Sequence, residues 1–195
     1  MFSFFENFSR SLTNLSSVFA GAANLWKATG YQFGLIGVLF DFLKGYLPVS
    51  FIIKYFPLTE LSFVALALAP ILGHAFSPFL YFRGGKALAP SFGVWAGVSH
   101  FVLAFVYALI LALLKILMVF KKRSLGATVE EDGFFTCFGM LLFVIYLYTR
   151  HYPPEFLWLA LGNLIILLWK NRREIRTYWK NKMQSSPDLS KKKVL

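Results

Sequence analysis

Long apolar blocks separated by short polar segments dominate this chain. Six blocks approach the length that a bilayer demands, at about 34–53, 61–80, 87–99, 101–120, 134–149 and 156–169. The third is short and has Pro90 near its start, which predicts a helix beginning inside a polar loop. The last two are also short, so we expect them to extend toward Gly133 and Pro154. Residues 1–20 alternate Phe with polar residues, which predicts an interfacial helix rather than a span.

The pattern therefore predicts an all-α fold, a polytopic membrane bundle of about six transmembrane helices. We expect a single membrane-embedded domain at 1–183 and a basic, flexible tail at 184–195. The chain shows no internal repeat and no sign of a second domain.

The basic residues predict the orientation of the helices. With the N-terminus in the cytoplasm, sixteen of the 20 Lys and Arg fall in inside segments. Two, Lys54 and Arg150, fall outside, and Lys44 and Lys115 lie within spans. Because cytoplasmic loops carry an excess of Lys and Arg, six helices with both termini cytoplasmic satisfy the rule at every loop.

Composition supports lipid as the solvent of this chain. Hydrophobic residues make up 57% and charged residues 15%, with a mean hydropathy of +0.61, whereas a soluble domain is about a quarter charged.

The net charge of +11 does not indicate nucleic acid, because the basic residues sit between apolar blocks. Cys137 is the only cysteine, which excludes a disulfide framework and a cysteine metal site. The N-terminus lacks the features of a cleavable signal peptide.

The segment 73–90, G-H-A-F-S-P-F-L-Y-F-R-G-G-K-A-L-A-P, carries the strongest chemical signal. Gly84 and Gly85 allow successive backbone N–H groups to point at one spot, and the helix that follows adds its N-terminal partial positive charge. Arg83 can grip a phosphate with two donors, and Lys86 supplies a compact charge. The segment predicts a phosphate or acyl-phosphate site, although a tight turn with topology-setting cations explains it equally well.

Other polar groups are weaker candidates. His74 enters the headgroup region and more often satisfies local groups than substrate. Ser17, Asn24 and Lys27 lie in a small-residue loop that close helix packing would also explain. The basic segment K-K-R-S-L-G-A-T contains Ser124, but its cations by themselves mostly set topology. Asp41 and Lys44 lie within a span, where ionisable groups are functional candidates. A structural pair is at least as good an explanation, and we expect the two side chains to face each other inside the bundle.

Together these residues resemble a known family. D-F-L-K-G-Y-L-P-V (41–49), I-L-G-H-A-F-S-P-F-L-Y-F-R-G-G-K (71–86), S-L-G-A (124–127) and W-K-N-R-R-E-I-R (169–176) occur in the order and spacing of the bacterial membrane-integral glycerol-3-phosphate acyltransferases that use acyl-phosphate. The resemblance covers residues 16–183. It implies transfer of a fatty acyl group to glycerol-3-phosphate at the plasma (inner) membrane, yielding lysophosphatidate and phosphate for phospholipid synthesis, with no cofactor and no metal.

The resemblance also implies roles for individual residues. Ser17, His74 and Lys86 match catalytic positions. The matching substrate- or phosphate-binding positions are Arg83, Gly84, Gly85, Asn24, Lys27, Ser124, Asn171 and Arg172.

The chain departs from the family pattern at several points. The first transmembrane helix is missing, and the first-motif Asn is Phe19. The Gly after the motif lysine is Ala87, and near the C-terminus a His and an Asn are replaced by Asn171 and Glu174. These changes leave a second hypothesis open: a catalytically impaired homologue that binds lipid, phosphate or a partner membrane protein. A transporter is a third possibility, but it would need more midplane polar groups.

Overall fold

The computed structural model describes residues 31–82, 84–122 and 128–184, and all regular structure in these ranges is helical. A short 3₁₀ turn at Pro78–Leu80 follows the second helix. The described ranges contain seven α-helices: α1 (Tyr31–Tyr55), α2 (Glu60–Ala75), α3 (Leu88–Ser99), α4 (Val102–Lys122), α5 (Val129–Thr149), α6 (Pro154–Lys170) and α7 (Arg172–Gln184).

The chain forms two compact units, one ending at Phe105 and the other beginning at Val106. The first unit contains α1 to α3, and the second contains most of α4 with α5 to α7. The expected single domain at 1–183 stays a prediction.

Glycines hold α1 and α3 together in the first unit. A Cβ added at Gly45 would overlap the backbone oxygen of Pro90, and one added at Gly93 would overlap that of Phe42. Farther along, a Cβ at Gly97 would lie 3.0 Å from Ser50 Oγ. The matching residues advance together along both helices, so α1 and α3 run side by side in the same direction. Backbones approach this closely only where side chains are small.

The second unit is built around α5, which packs against α4, α6 and α7. A Cβ at Gly139 of α5 would overlap the side chain of Leu111 on α4. The rings of Tyr107 and Phe143 pack with centroids 5.3 Å apart, and both residues are fully buried. Lys115 and Asp132 form an ion pair at 3.1 Å between α4 and α5.

Threonine caps fix the starts of two long helices. Thr128 and Glu131 form a reciprocal capping box at the start of α5, in which Glu131 Oε2 accepts from the Thr128 N–H at 3.0 Å and Thr128 Oγ1 accepts from the Glu131 N–H at 3.4 Å. Thr59 caps α2 by accepting from the Ser62 N–H. These side chains satisfy backbone donors that a helix start leaves without partners.

Three described segments are long and apolar enough to cross a bilayer: Gly34–Tyr55, Glu60–Leu80 and Val129–Thr149. A fourth, Val102–Met118, is apolar but shorter. Many large apolar side chains are exposed, including Phe40, Leu61 and Phe105, as expected of helices that face lipid.

The structure confirms the all-α fold, and each predicted block contains a helix. The helices of the last two blocks are longer than the blocks, as expected: α5 extends past Gly133 to Val129, and α6 begins at Pro154. The second block matches the candidate span Glu60–Leu80, within which α2 ends at Ala75 and the 3₁₀ turn Pro78–Leu80 follows. Helix α7 was not predicted as a separate element. The proposed interfacial helix at 1–20 and the tail beyond 184 lie outside the described residues, and the transmembrane count and terminal locations stay predictions.

Candidate active site

The glycine turn, residues 84–87, lies against the C-terminal end of α2. A Cβ added at Gly84 would overlap the backbone oxygen of His74 and lie 2.7 Å from that of Ala75. Only glycine permits this approach of two backbones. Gly84 and Gly85 are buried, whereas Lys86 is exposed. The turn therefore holds its backbone inside the first unit while the Lys86 side chain is accessible.

The turn leads directly into α3 through a residue in an unusual conformation. Ala87 is the N-cap, with φ 62° and ψ 13°, and it makes no side-chain cap hydrogen bond. Its carbonyl accepts hydrogen bonds from the Ser91 N–H at 3.1 Å and from Ser91 Oγ at 2.7 Å. An N-cap without a polar side chain leaves the first N–H groups of the helix available to another acceptor, and the helix dipole favours an anion there.

Three ionisable side chains of the first unit meet at one carboxylate oxygen. Asp41 Oδ1 lies 2.5 Å from Lys44 Nζ and 3.4 Å from His74 Nδ1. Lys44 Nζ and His74 Nδ1 are themselves 3.4 Å apart. The Asp41 and His74 side chains are largely buried, at 13% and 8% exposed, whereas Lys44 is 46% exposed. The expected contact between Asp41 and Lys44 is confirmed, and His74 is a third member that the sequence analysis did not connect to them.

His74 links this charge cluster to the glycine turn. Its ring lies beside Asp41, and its backbone carbonyl lies against Gly84. The cluster, the turn and the start of α3 therefore form one compact polar region, with Lys86 and Lys44 as its accessible cations. Such a region can bind an anion through backbone donors and ammonium groups.

The two C-terminal candidates lie in the second unit and are engaged in local contacts. Asn171 is 1% exposed, caps α6, and donates from its side-chain amide to the Leu167 carbonyl at 2.9 Å. Arg172 is exposed, donates to the Trp169 carbonyl at 2.6 Å, and its guanidinium carbon lies 4.9 Å from the Trp169 ring centroid. A substrate role for either residue stays a prediction.

Glu174 also has a structural neighbour that the sequence analysis missed. A Cβ added at Gly133 would lie 2.8 Å from Glu174 Cβ and 3.2 Å from Asn171 Oδ1. Gly133 thus lets α7 pack closely on the first turns of α5.

The structure brings together only some of the predicted site residues. His74, Gly84, Gly85 and Lys86 lie in the polar region of the first unit. Five others lie outside the described residues: Ser17, Asn24, Lys27, Arg83 and Ser124. Within the described part of the chain, no group of three or more His, Cys, Asp or Glu side chains could hold a metal ion.

The helical fold and the lipid-facing apolar surfaces define a multi-pass membrane protein. Residues 8–181 match the family model described as glycerol-3-phosphate acyltransferase. The chain belongs to the glycerol-3-phosphate acyltransferase family.

Curated relatives from several bacteria are similar over most of their lengths. The chain is 35% identical over 164 residues to glycerol-3-phosphate acyltransferase 1 of Thermotoga maritima, covering 82% of this chain and 80% of the relative. It is 27% identical to glycerol-3-phosphate acyltransferase of Aquifex aeolicus, covering 84% of this chain and 79% of the relative.

Two solved structures share the fold. Both are of PlsY (YgiH), an integral membrane glycerol 3-phosphate acyltransferase, in its glycerol 3-phosphate form and its lysophosphatidic acid form. Their TM-scores are 0.67 and 0.68, each at 25% identity over 83% of this chain, covering 74% and 76% of the solved chains.

Proposed function

We propose that this protein transfers a fatty acyl group to glycerol-3-phosphate, with acyl-phosphate as the donor, and so forms lysophosphatidate for phospholipid synthesis. Family membership supports the reaction class and the acceptor, since its relatives are named glycerol-3-phosphate acyltransferases. A related solved structure was obtained in a glycerol 3-phosphate form and another in a lysophosphatidic acid form, an acceptor and a product of this kind.

The glycine turn beside His74 is the observation that carries the proposal for the site. Both substrates would carry a phosphate, and the turn offers buried backbone, a helix start and the exposed Lys86 ammonium. In the proposed arrangement, backbone N–H groups at Gly84 and Gly85 donate to phosphate oxygens, and Lys86 neutralises part of their charge.

The chemical step needs no protein nucleophile. The glycerol hydroxyl oxygen attacks the acyl carbonyl carbon, and the bond between that carbon and the donor's phosphate oxygen breaks. The hydroxyl proton passes to the departing phosphate, which leaves as inorganic phosphate. The protein then contributes positioning and charge stabilisation, with Ser17 and His74 proposed to orient the reacting groups.

The proposed donor and acceptor both carry a phosphate. They differ in that the donor also has an acyl chain, which the surrounding lipid accommodates. The family resemblance supports five further phosphate-binding residues: Arg83, Asn24, Lys27, Ser124 and Arg172.

A catalytically impaired homologue is the second candidate, and the C-terminal segment favours it. Asn171, at a position where the family has His, uses its amide to cap α6. Glu174, at a position where the family has Asn, packs against Gly133 and adds negative charge that would repel a phosphate dianion.

Turnover by purified protein distinguishes the two candidates. Incubation with acyl-phosphate and labelled glycerol-3-phosphate should give labelled lysophosphatidate. Lys86→Met should lower activity by roughly 10- to 100-fold, the loss expected for hydrogen bonds to a charged group. Gly84→Ala should lower activity without changing charge, because its Cβ would push the turn away from α2.

Two variants serve as controls. Lys54→Met removes an exposed cation in the last turn of α1. Gly73→Ala adds a methyl group where nothing lies within 4 Å. Both variants should keep normal activity. Wild-type protein that binds acyl-phosphate without turning over would support the impaired homologue. Full activity in Lys86→Met would show that the turn is not the phosphate site.

A further inference from the structure

Apart from Arg172, the basic and aromatic surface of helix α7 has no part in the proposed reaction. The helix contains five Lys and Arg residues and one acidic residue, Glu174. None of its residues is buried, and its exposed large apolar side chains are Trp179 and Met183.

One face of α7 is already occupied by α5. Tyr178 stacks on Phe134 with ring centroids 4.6 Å apart, and Glu174 packs against Gly133. The single acidic side chain therefore lies on the packed face, and the basic side chains are left on the remaining surface.

Toward the C-terminal end of α7 the remaining surface has an apolar strip with cations on both sides. Arg172 falls on the line of this strip but lies two turns nearer the start of the helix, where it packs on Trp169. Trp179 of the strip also meets the edge of the Phe134 ring, with centroids 6.1 Å apart. At 100° per residue, Trp179 and Met183 fall close together, with Arg176, Lys180 and Arg173 following on one side and Lys182 on the other. All six are exposed. Lys182 Nζ lies 5.6 Å from the Trp179 ring centroid and 6.0 Å from that of Tyr178. An apolar strip bordered by cations is typical of a helix that lies in a headgroup layer, with Trp at the level of the carbonyls.

The connection to α6 supports this location. Trp169, in the last turn of α6, is 57% exposed, and Arg172 packs on its ring. Exposed Trp beside Arg marks the boundary between hydrocarbon and headgroups. Only one residue, Asn171, separates the end of α6 from the start of α7, so α7 starts at this boundary.

We propose that this face of α7, formed by Arg173, Arg176, Trp179, Lys180, Lys182 and Met183, binds the anionic phospholipid headgroups of the membrane surface next to it. Charge complementarity selects anionic over zwitterionic lipid, because each basic residue near such a surface favours binding roughly five-fold. The face belongs to the second unit, whereas the glycine turn belongs to the first, and the proposed lipid binding does not depend on acyl transfer.

Amide hydrogen exchange of the full-length protein in nanodiscs tests this proposal. Residues 172–184 should exchange roughly five-fold or more slowly in discs that contain phosphatidylglycerol than in pure phosphatidylcholine discs. The difference should disappear at high salt, because salt screens exposed charges. Equal exchange in the two kinds of disc would overturn the proposal.

Variants assign the effect to the face itself. Replacing Arg173, Arg176 and Lys180 with Gln should remove most of the lipid dependence while leaving exchange in phosphatidylcholine unchanged, since these side chains are exposed. Replacing Lys191, Lys192 and Lys193 with Gln removes the same charge from the chain beyond α7 and should have a smaller effect. An equal effect of the two triple variants would show dependence on net charge alone and would overturn a specific face.

Water-soluble phosphate compounds carry the same anionic group as the lipid headgroups and are the alternative ligand of the α7 face. Adding glycerol-3-phosphate to phosphatidylglycerol discs should leave α7 protection unchanged. Loss of protection at substrate concentrations would assign the face to substrate and contradict the lipid proposal.

Discussion

The glycines of the first unit differ in how much space surrounds them, and replacing them with alanine tests this difference. Gly73 of α2 has nothing within 4 Å of an added Cβ, whereas a Cβ on Gly93 of α3 would overlap the Phe42 carbonyl oxygen. Gly73→Ala should stabilise the protein by about 0.5–1 kcal/mol, because glycine inside a helix is unfavourable. Gly93→Ala should destabilise it by about 1–3 kcal/mol, since α1 and α3 must separate.

Thermal or denaturant unfolding in detergent measures both glycine variants. The sign of the effect carries the comparison, because the substitution is the same in each. Two variants that shift stability in the same direction would contradict the close approach of α1 and α3.

The charge cluster gives a second residue-scale prediction. Asp41→Asn should lower the free energy of unfolding by about 1 kcal/mol, because Lys44 and His74 lose their shared carboxylate while the half-exposed ammonium still reaches solvent. Asp41→Leu combined with Lys44→Leu should be milder, since removing one partner of an ion pair costs more than removing both. A double variant less stable than either single variant, measured as folded yield and unfolding in detergent, would exclude a structural pair.

At this scale the sequence predicted part of the site. Asp41 and Lys44 are three residues apart on a helix, so their contact follows from local geometry. The contact with His74 joins residues 30 or more positions apart and depends on how α1 and α2 pack, which no local pattern contains. Gly84 was identified as a turn residue, but its fit against the His74 carbonyl is visible only in three dimensions.

At the scale of elements, the start of α5 depends on its capping box. Thr128→Ala should destabilise the protein by about 1 kcal/mol, because the Glu131 N–H loses its acceptor. Thr128→Ser keeps the hydroxyl and should behave nearly as wild type. Unfolding in detergent checks both variants, and equal losses for Ala and Ser would mean that the hydroxyl does not act as a cap.

The apolar blocks of the sequence predicted where the helices lie, but they did not predict where each helix begins and ends. α5 begins at Val129, five residues before the predicted block, because Glu130, Glu131 and Asp132 make its first turn polar. The Thr128 and Glu131 spacing was the readable signal for that start. α7 was missed for the related reason that its composition is basic; the spacing of Ile175, Tyr178 and Trp179 carries its helical period, which a search for apolar blocks does not detect.

At the scale of the whole molecule, the orientation of the helices is open to a direct test. Reporter fusions after Thr59 and after His151 should report the outside, and fusions after Lys86, Lys122 and Lys182 should report the cytoplasm. The prediction rests on the excess of Lys and Arg in the inside segments. An outside signal at Lys182 would require an odd number of spans and would exclude the six-helix topology.

The position of the glycine turn along α1 has a consequence for where the reaction takes place. The glycine turn adjoins His74, which contacts Asp41, seven residues after the start of the α1 span at Gly34. Taking Gly34 as the point where α1 enters the hydrocarbon, seven residues of helix rise correspond to about 10 Å. The turn would then lie below the headgroups, beside the first methylenes of neighbouring lipids. A lipid-like acyl donor would meet it without leaving its leaflet, while the water-soluble acceptor would have to shed hydration to descend. Turnover should therefore fall as bilayers of longer-chain lipid deepen that descent, and rates independent of bilayer thickness would place the turn at the surface instead.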